Sequence, residues 1–380
     1  MDQPADKDNT NGVPQITLIC KRDLPDLMSK RISLDLDGKL KSDGSECRMV
    51  AGTAARAFAG TASDLALIVQ NCSSNQAIAL GALREDLSSP VNVTIKSRLD
   101  QNPGAIARTR DFIDYRPECS AWALIDFDSK GMPDDIKAKI DAAGGMWNAL
   151  LMVAPELAGA TRVSRSSTSA GLFRSDTSEP IAGSNGMHHY VLVQDGGDIE
   201  RFLKDLHERC WLHGFGWHMI GATGQLLDRS LIDRMVGYGE RLCFEGAPLI
   251  LAPLAQDAGK RVPEAFEGYA IDSARAVPRL TEYERYRVNE AKQASAKARG
   301  KAAAEVRNKH DEELAKKISI KSGASLATAL RLVRARHRGV LYPGVELEFD
   351  RLGLVTVGAV LSDPDHYIGE TLADPIEGVD

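Results

Sequence analysis

No stretch of this 380-residue chain approaches the roughly 20 consecutive apolar residues of a membrane-spanning helix, so a helical membrane protein is not expected. The opening MDQPADKDNTNG lacks the basic start and apolar core of a secretory signal and reads as a short disordered lead. Cysteine is sparse and scattered. Cys20, Cys47, Cys72, Cys119, Cys210 and Cys243 form no C-x-x-C pair, hence neither a zinc-ligand pattern nor an evident disulfide framework. That usage fits a reducing cytoplasm. There is no G-x-x-x-x-G-K-[S/T] phosphate loop, which excludes a motor ATPase, and no internal repeat.

What is present is an ordinary globular composition, 43% hydrophobic and 26% charged, long enough for two or three domains. The net charge of −6 is unevenly spread: Arg285 to Arg338 holds 15 Lys/Arg against 5 Asp/Glu, a net of +10, leaving −16 on the rest. A basic segment on an acidic body points towards nucleic acid, although a solvated Ala/Lys/Glu/Arg helix has the same composition.

Residues from about 14 to 100 alternate strand and helix signals: QITLICKR, RISLDLDGKL with a turn at Asp37-Gly38, helical SDLALIVQN, then QAIALGAL and VNVTIKS. Further on, SAWALIDFD reads as a buried strand, and Pro133 with Asp134 and Asp135 suits a helix start. Thr161 to Gly171 passes from strand to loop, and GSNGMHHYVLVQD is a glycine-led strand. DGGDIERFLKDLHERCWLHG is an amphipathic helix with Asp198 as its expected N-cap. From Leu280 two helices follow, then a small strand-and-loop tail. The whole predicts a mixed α/β protein.

Several groups of residues could carry chemistry. On a strand Asp126 and Asp128 point to the same side, where two carboxylates can grip one hard divalent cation or bridge two about 3.5–4 Å apart. In TRVSRSSTSAG, arginines and clustered hydroxyls, with Arg165 and Ser167 foremost, make an anion-binding set. His188 and Tyr190 share one strand face, while His189 lies on the other as a bystander. Asp228 and Asp233, both in apolar settings, are candidates for a third acid in a two-metal set, and Arg241 could meet a phosphate.

This order (D-x-D on a strand, a glycine-led strand with a histidine, then an apolar-flanked aspartate and an arginine) resembles the archaeo-eukaryotic primase superfamily, the primase-polymerases. LIDFD is similar to its first motif, SNGMHHY to its small-x-His second and LIDRMV to its third. The neighbouring RSSTSAGLFRSDT, FLKDLHERCWLHGFGW and ERLCFEGAPLI resemble the primase part of replication proteins from bacterial plasmids, prophages and integrative elements. The resemblance spans roughly residues 14 to 280 and, through SDPDHYIGETLADPIEG, the tail. It implies an α/β (α+β) fold, an N-terminal α/β unit packed on an RRM-like sheet, with a C-terminal helical accessory region. It implies a DNA primase/polymerase that makes primers on single-stranded DNA from nucleoside triphosphates and extends them. Asp126, Asp128 and Asp233 (or Asp228) would hold two Mg²⁺ or Mn²⁺ ions, and His188 would bind the incoming triphosphate, with Arg165, Ser167 and Arg241 assisting. No zinc is expected, although some relatives carry zinc modules.

The expected division is a disordered lead over 1–13, a catalytic domain over 14–280, a basic helical region over 281–345 and a small tail over 346–380. Similar tails often lead into a helicase-like region, so a truncated or primase-only form, working with a fused or separate helicase, is the expectation. Two rivals use the same residues. One is a metal-dependent nuclease, in which Asp128 and Lys130 form a D-x-K half-motif. The other is a non-catalytic replication-initiation module that only binds DNA.

Overall fold

The computed structural model of the chain describes residues 12–181, 186–336, 341, 343–349 and 351–372. Most of the expected lead, Gly183, Ser184 and Asn185 at the second motif, and the last residues of the tail lie outside them. The fold is mixed α/β, with several small sheets and helices concentrated towards the C-terminus. The chain forms two compact units: Met1–Trp217 with Arg229–Lys292, and His218–Asp228 with Gln293–Asp380.

The first unit is built on two sheets. The larger runs in the order Leu242–Cys243, Gln76–Ala79, Gln15–Lys21, Ala51–Phe58, Val91–Thr94, Ile106–Ala107. Its central pair is antiparallel over its full length, from Gln15 opposite Phe58 to Lys21 opposite Gly52. The smaller sheet is antiparallel and runs Ala121–Phe127 (the aspartate strand), Met187–Val193 (the histidine strand), Arg162–Ser166 (the arginine strand), Glu264–Phe266. In chain order its strands thus lie first, third, second, fourth, with helices Asp134–Ala142 and Met146–Val153 after the first strand and Ile199–Leu212 after the third.

The two sheets share a core through the helix Ala62–Gln70. Ile16 and Ile78 of the larger sheet, Leu65 and Val69 of the helix, and Trp122, Leu124, Val163, Tyr190 and Leu192 of the smaller sheet form one cluster. The helix starts with a capping box between Thr61 and Asp64 and receives the Glu267 carboxylate at Ala62 N and Ser63 N, where the dipole favours an anion. Trp122 is fully buried, and its indole donates to Ala59 O at 2.9 Å, so no polar atom is orphaned.

The face pattern follows strand alternation. Trp122 and Leu124, like Tyr190 and Leu192, point into the shared core, so Asp126 and His188 continue those rows past its end. On the opposite face, buried His189 is hydrogen-bonded to Ser164 Oγ at 2.7 Å and lies 5.0 Å from the Trp147 ring of helix Met146–Val153. Burial pushes the His189 imidazole down to about 3, so it stays neutral. The helix Ile199–Leu212 buries Phe202, Leu203, Leu206 and Cys210 as its period predicts. Its expected cap is different, however: the Asp198 side chain makes no capping bond and is engaged by Arg201 and Ser273.

In the second unit, much of the helix Glu282–Ser322 and the helix Leu326–Arg336 meet around Ala315, Ala329 and Val333. Lys297, Lys301, Lys309, Lys316 and Lys317 are exposed along the long helix. The tail forms a hairpin, Glu346–Phe349 with Gly353–Thr356, and an additional short helix Val357–Ser362 capped by Thr356. Among the described residues no helix is long and apolar enough to cross a membrane.

Candidate active site

Register places the site. Asp126 on the aspartate strand lies opposite His188 on the histidine strand, and His188 lies opposite Arg165 on the arginine strand. Three polar residues therefore stand in one row across three strands, at the end where the apolar rows stop. Asp126 Oδ1 is 3.6 Å from His188 Nε2. Asp128 is just past the strand end, exposed, with its carboxylate accepting from Lys130 N at 2.9 Å in the turn that Gly131 completes at φ 67°.

Asp233 comes to the same place by a main-chain bond. Its amide donates to Asp126 O at 2.9 Å, and its carboxylate accepts from Met235 N at 2.8 Å. Buried Leu231 and Ile232 anchor this segment. Burial pushes the Asp126 carboxyl above its ordinary range; Asp233 and Asp128 push the same way, while His188 and Lys30 oppose them. Asp233 and Asp128 are thus the carboxylates acting on Asp126. The alternative third acid, Asp228, belongs to the segment His218–Asp228 of the second unit.

Behind His188 lies a residue that sequence reading did not single out. Glu245 is 1% exposed, and its Oε1 accepts from His188 Nδ1 and, at 2.5 Å, from Tyr190 Oη. Its Oε2 accepts from Arg165 Nη1 at 2.9 Å. Arg165, expected to face an anion, is instead turned inward: its guanidinium also donates to Val69 O, Glu245 O and Arg261 O at 2.8–2.9 Å. Val69 closes a helix whose C-terminal carbonyls favour a cation. Gly246 lets the chain reach this depth, because a Cβ there would stand 2.4 Å from Ser73 O.

Burial alone would push the His188 imidazole down, but the Glu245 carboxylate, by charge and hydrogen bond, and Asp126 bring it up to about 9. Burial alone would push Glu245 up, yet His188, Arg165 and Tyr190 hold it at about 2. His188 is therefore a cation at neutral pH, its Nδ1–H fixed on Glu245 and its Nε2–H directed to the Asp126 side. A pH dependence follows. The raised imidazole stabilises the fold in full below about 6.5, and that contribution fades as pH rises through about 9. The lowered carboxylate contributes in full above about 4.5, and this is lost as pH falls towards about 2. The thermal-stability advantage of the native chain over His188→Gln is expected to be largest between about pH 4.5 and 6.5 and to shrink towards pH 10. An advantage that stays flat from about pH 6 to 10 would contradict the ion pair.

The remaining expected residues flank this centre. Ser167 sits in the turn after the arginine strand, its amide donating to Gly186 O at 2.9 Å and its Oγ 3.4 Å from Ser169 Oγ. Arg241 Nη1 donates to Met235 O at 3.1 Å. Met235 thus receives Arg241 on its carbonyl and Asp233 on its amide. Sequence reading also passed over Lys30, whose exposed ammonium acts on both Asp126 and His188. A glutamate in the apolar run RLCFEGAPLI was the one signal for Glu245, since buried acids require partners.

Chemically, Asp126, Asp128 and Asp233 offer oxygen ligands of the kind hard divalent cations prefer, and the imidazolium beside Asp126 supplies a charged donor for a phosphate. Comparison with protein-family profiles, curated proteins and solved structures gave no match.

Proposed function

We propose that this chain is a primase-polymerase of the archaeo-eukaryotic type, which synthesises and extends primers on single-stranded DNA from nucleoside triphosphates during replication of a mobile element. One observation carries the reading: Asp126 and His188 stand opposite each other on adjacent strands, with Asp128 two residues on and the Asp233 amide bonded to the Asp126 carbonyl. The strand order first–third–second, with helices after the first and third strands, supports an RRM-like assignment for the smaller sheet.

The donor set fits Mg²⁺ or Mn²⁺. Burial and the charges of Asp233 and Asp128 disfavour the Asp126 carboxylate, a penalty that a dication relieves. Asp126, Asp128 and Asp233 would hold the ions. Once bound, these would activate the attacking hydroxyl and neutralise charge developing on the phosphates. His188 Nε2–H would donate to a triphosphate oxygen, with Glu245 keeping the imidazole charged and oriented. Exposed lysines of the long helix would add sequence-independent, salt-sensitive affinity for the template.

Incubation with a single-stranded template, labelled nucleotides and Mn²⁺ or Mg²⁺ tests this reading. New or extended oligonucleotides are expected. A shortened template would favour a nuclease, and binding without either product would leave a non-catalytic module.

A further inference from the structure

The first unit has a cationic pocket of about 490 Å³, in the size range of small-ligand sites. Arg48, Arg108 and Arg241 line it, with Glu240, Tyr238 and Phe244. None of the three guanidiniums forms an ion pair among the described residues. Arg48 is exposed and its guanidinium has no hydrogen-bond partner there. Arg108 Nη1 donates to the Glu240 carbonyl at 2.9 Å, and Arg241 Nη1 donates to the Met235 carbonyl. Neutral carbonyls leave the charge uncompensated, so the pocket sets three cations against the single carboxylate of Glu240. Burial lowers the Arg108 guanidinium; Glu240 counters this and Arg241 adds to it.

One chain of hydrogen bonds ties the pocket to the candidate site. Met235 links Arg241 to Asp233 through its carbonyl and its amide.

We infer that Arg48, Arg108 and Arg241 form a phosphate-binding pocket that takes the backbone of a nucleic-acid strand held beside the carboxylates. The identity of the ligand rests on the polymerase reading; the phosphate chemistry does not. Guanidinium forks match phosphate oxygens in pairs, and Tyr238 and Phe244 offer aromatic surface for a sugar or base.

Fluorescence anisotropy with a labelled single-stranded oligonucleotide, across a salt series, tests the pocket in the full chain. Arg48→Gln/Arg108→Gln is expected to bind at least about tenfold more weakly, with a salt slope shallower by about 1.4, or about 0.7 for each phosphate that is no longer neutralised. Arg48→Gln alone, at an exposed and unpartnered side chain, should weaken binding without changing the melting temperature, and Arg48→Lys should restore much of the affinity. Competition by inorganic tripolyphosphate and the nucleotide KM separate the two phosphate sources. A KM raised about tenfold with oligonucleotide affinity unchanged would keep the phosphate chemistry but assign it to a free triphosphate, overturning the strand. Affinity, slope and KM all unchanged in the double variant would overturn the pocket. Binding is read without catalysis, so arginine-dependent binding by a protein that makes no product sinks only the polymerase reading. Synthesis with unaltered binding and KM in the variants sinks only the pocket.

Discussion

Asp126→Asn is expected to reduce nucleotide incorporation at least about 10³-fold while leaving template affinity within about twofold. The asparagine has nearly the same shape, and the main-chain bond from Asp233 N to residue 126 persists, so the strand end should not move. What is lost is one negative oxygen from the proposed metal-binding set, and several kcal/mol of charge stabilisation in the reaction corresponds to that rate factor. Stability should move the other way. The raised carboxyl of Asp126 means that the fold disfavours its charged form, so removing that charge relieves repulsion from Asp128 and Asp233. A melting temperature unchanged or slightly higher, combined with lost synthesis, distinguishes a functional carboxylate from a structural one. Lower stability with equal loss of template binding would assign Asp126 to the scaffold.

Glu245→Ala is expected to have the largest effect on stability, a loss of about 3–5 kcal/mol that would lower Tm by roughly 10 °C. Arg165 and Arg261 are 7% and 5% exposed, and Glu245 is the carboxylate that both face. Removing it leaves two buried guanidiniums close together without a counter-charge, and leaves Tyr190 Oη and His188 Nδ1 without their acceptor. Glu245→Gln keeps an acceptor oxygen but not the charge. It should cost less stability while still weakening nucleotide binding, because His188 would no longer be held protonated near neutral pH. Calorimetric melts of both variants beside the native protein test this order; equal melting of all three would contradict a buried ion network.

The parts legible in the sequence are those written in local pattern. Strand alternation put His188 with Tyr190 on one face and His189 on the other, and their contacts bear this out: the first two bond Glu245 and the third bonds Ser164. The amphipathic period located the helix Ile199–Leu212. Non-local partners were not legible. Glu245 meets His188, Tyr190 and Arg165 across 57, 55 and 80 residues, and no local period encodes such separations. Arg165 illustrates the ambiguity: an arginine among hydroxyls suits a phosphate, and it equally suits a buried glutamate. The strand Ala51–Phe58 was missed because AGTAARAF has little strand propensity; pairing with strands on both sides overrides it. Asp198 preceded a helix as a cap should, but Arg201 one turn on and distant Ser273 took its oxygens.

Anomalous diffraction from crystals grown with Mn²⁺ and a non-hydrolysable nucleoside triphosphate would locate the ions and the phosphates. Manganese bound by Asp126, Asp128 and Asp233, with a phosphate oxygen within hydrogen-bonding distance of His188 Nε2, is the expected result. Ions bound elsewhere, or a triphosphate that leaves His188 and the three aspartates untouched, would contradict it.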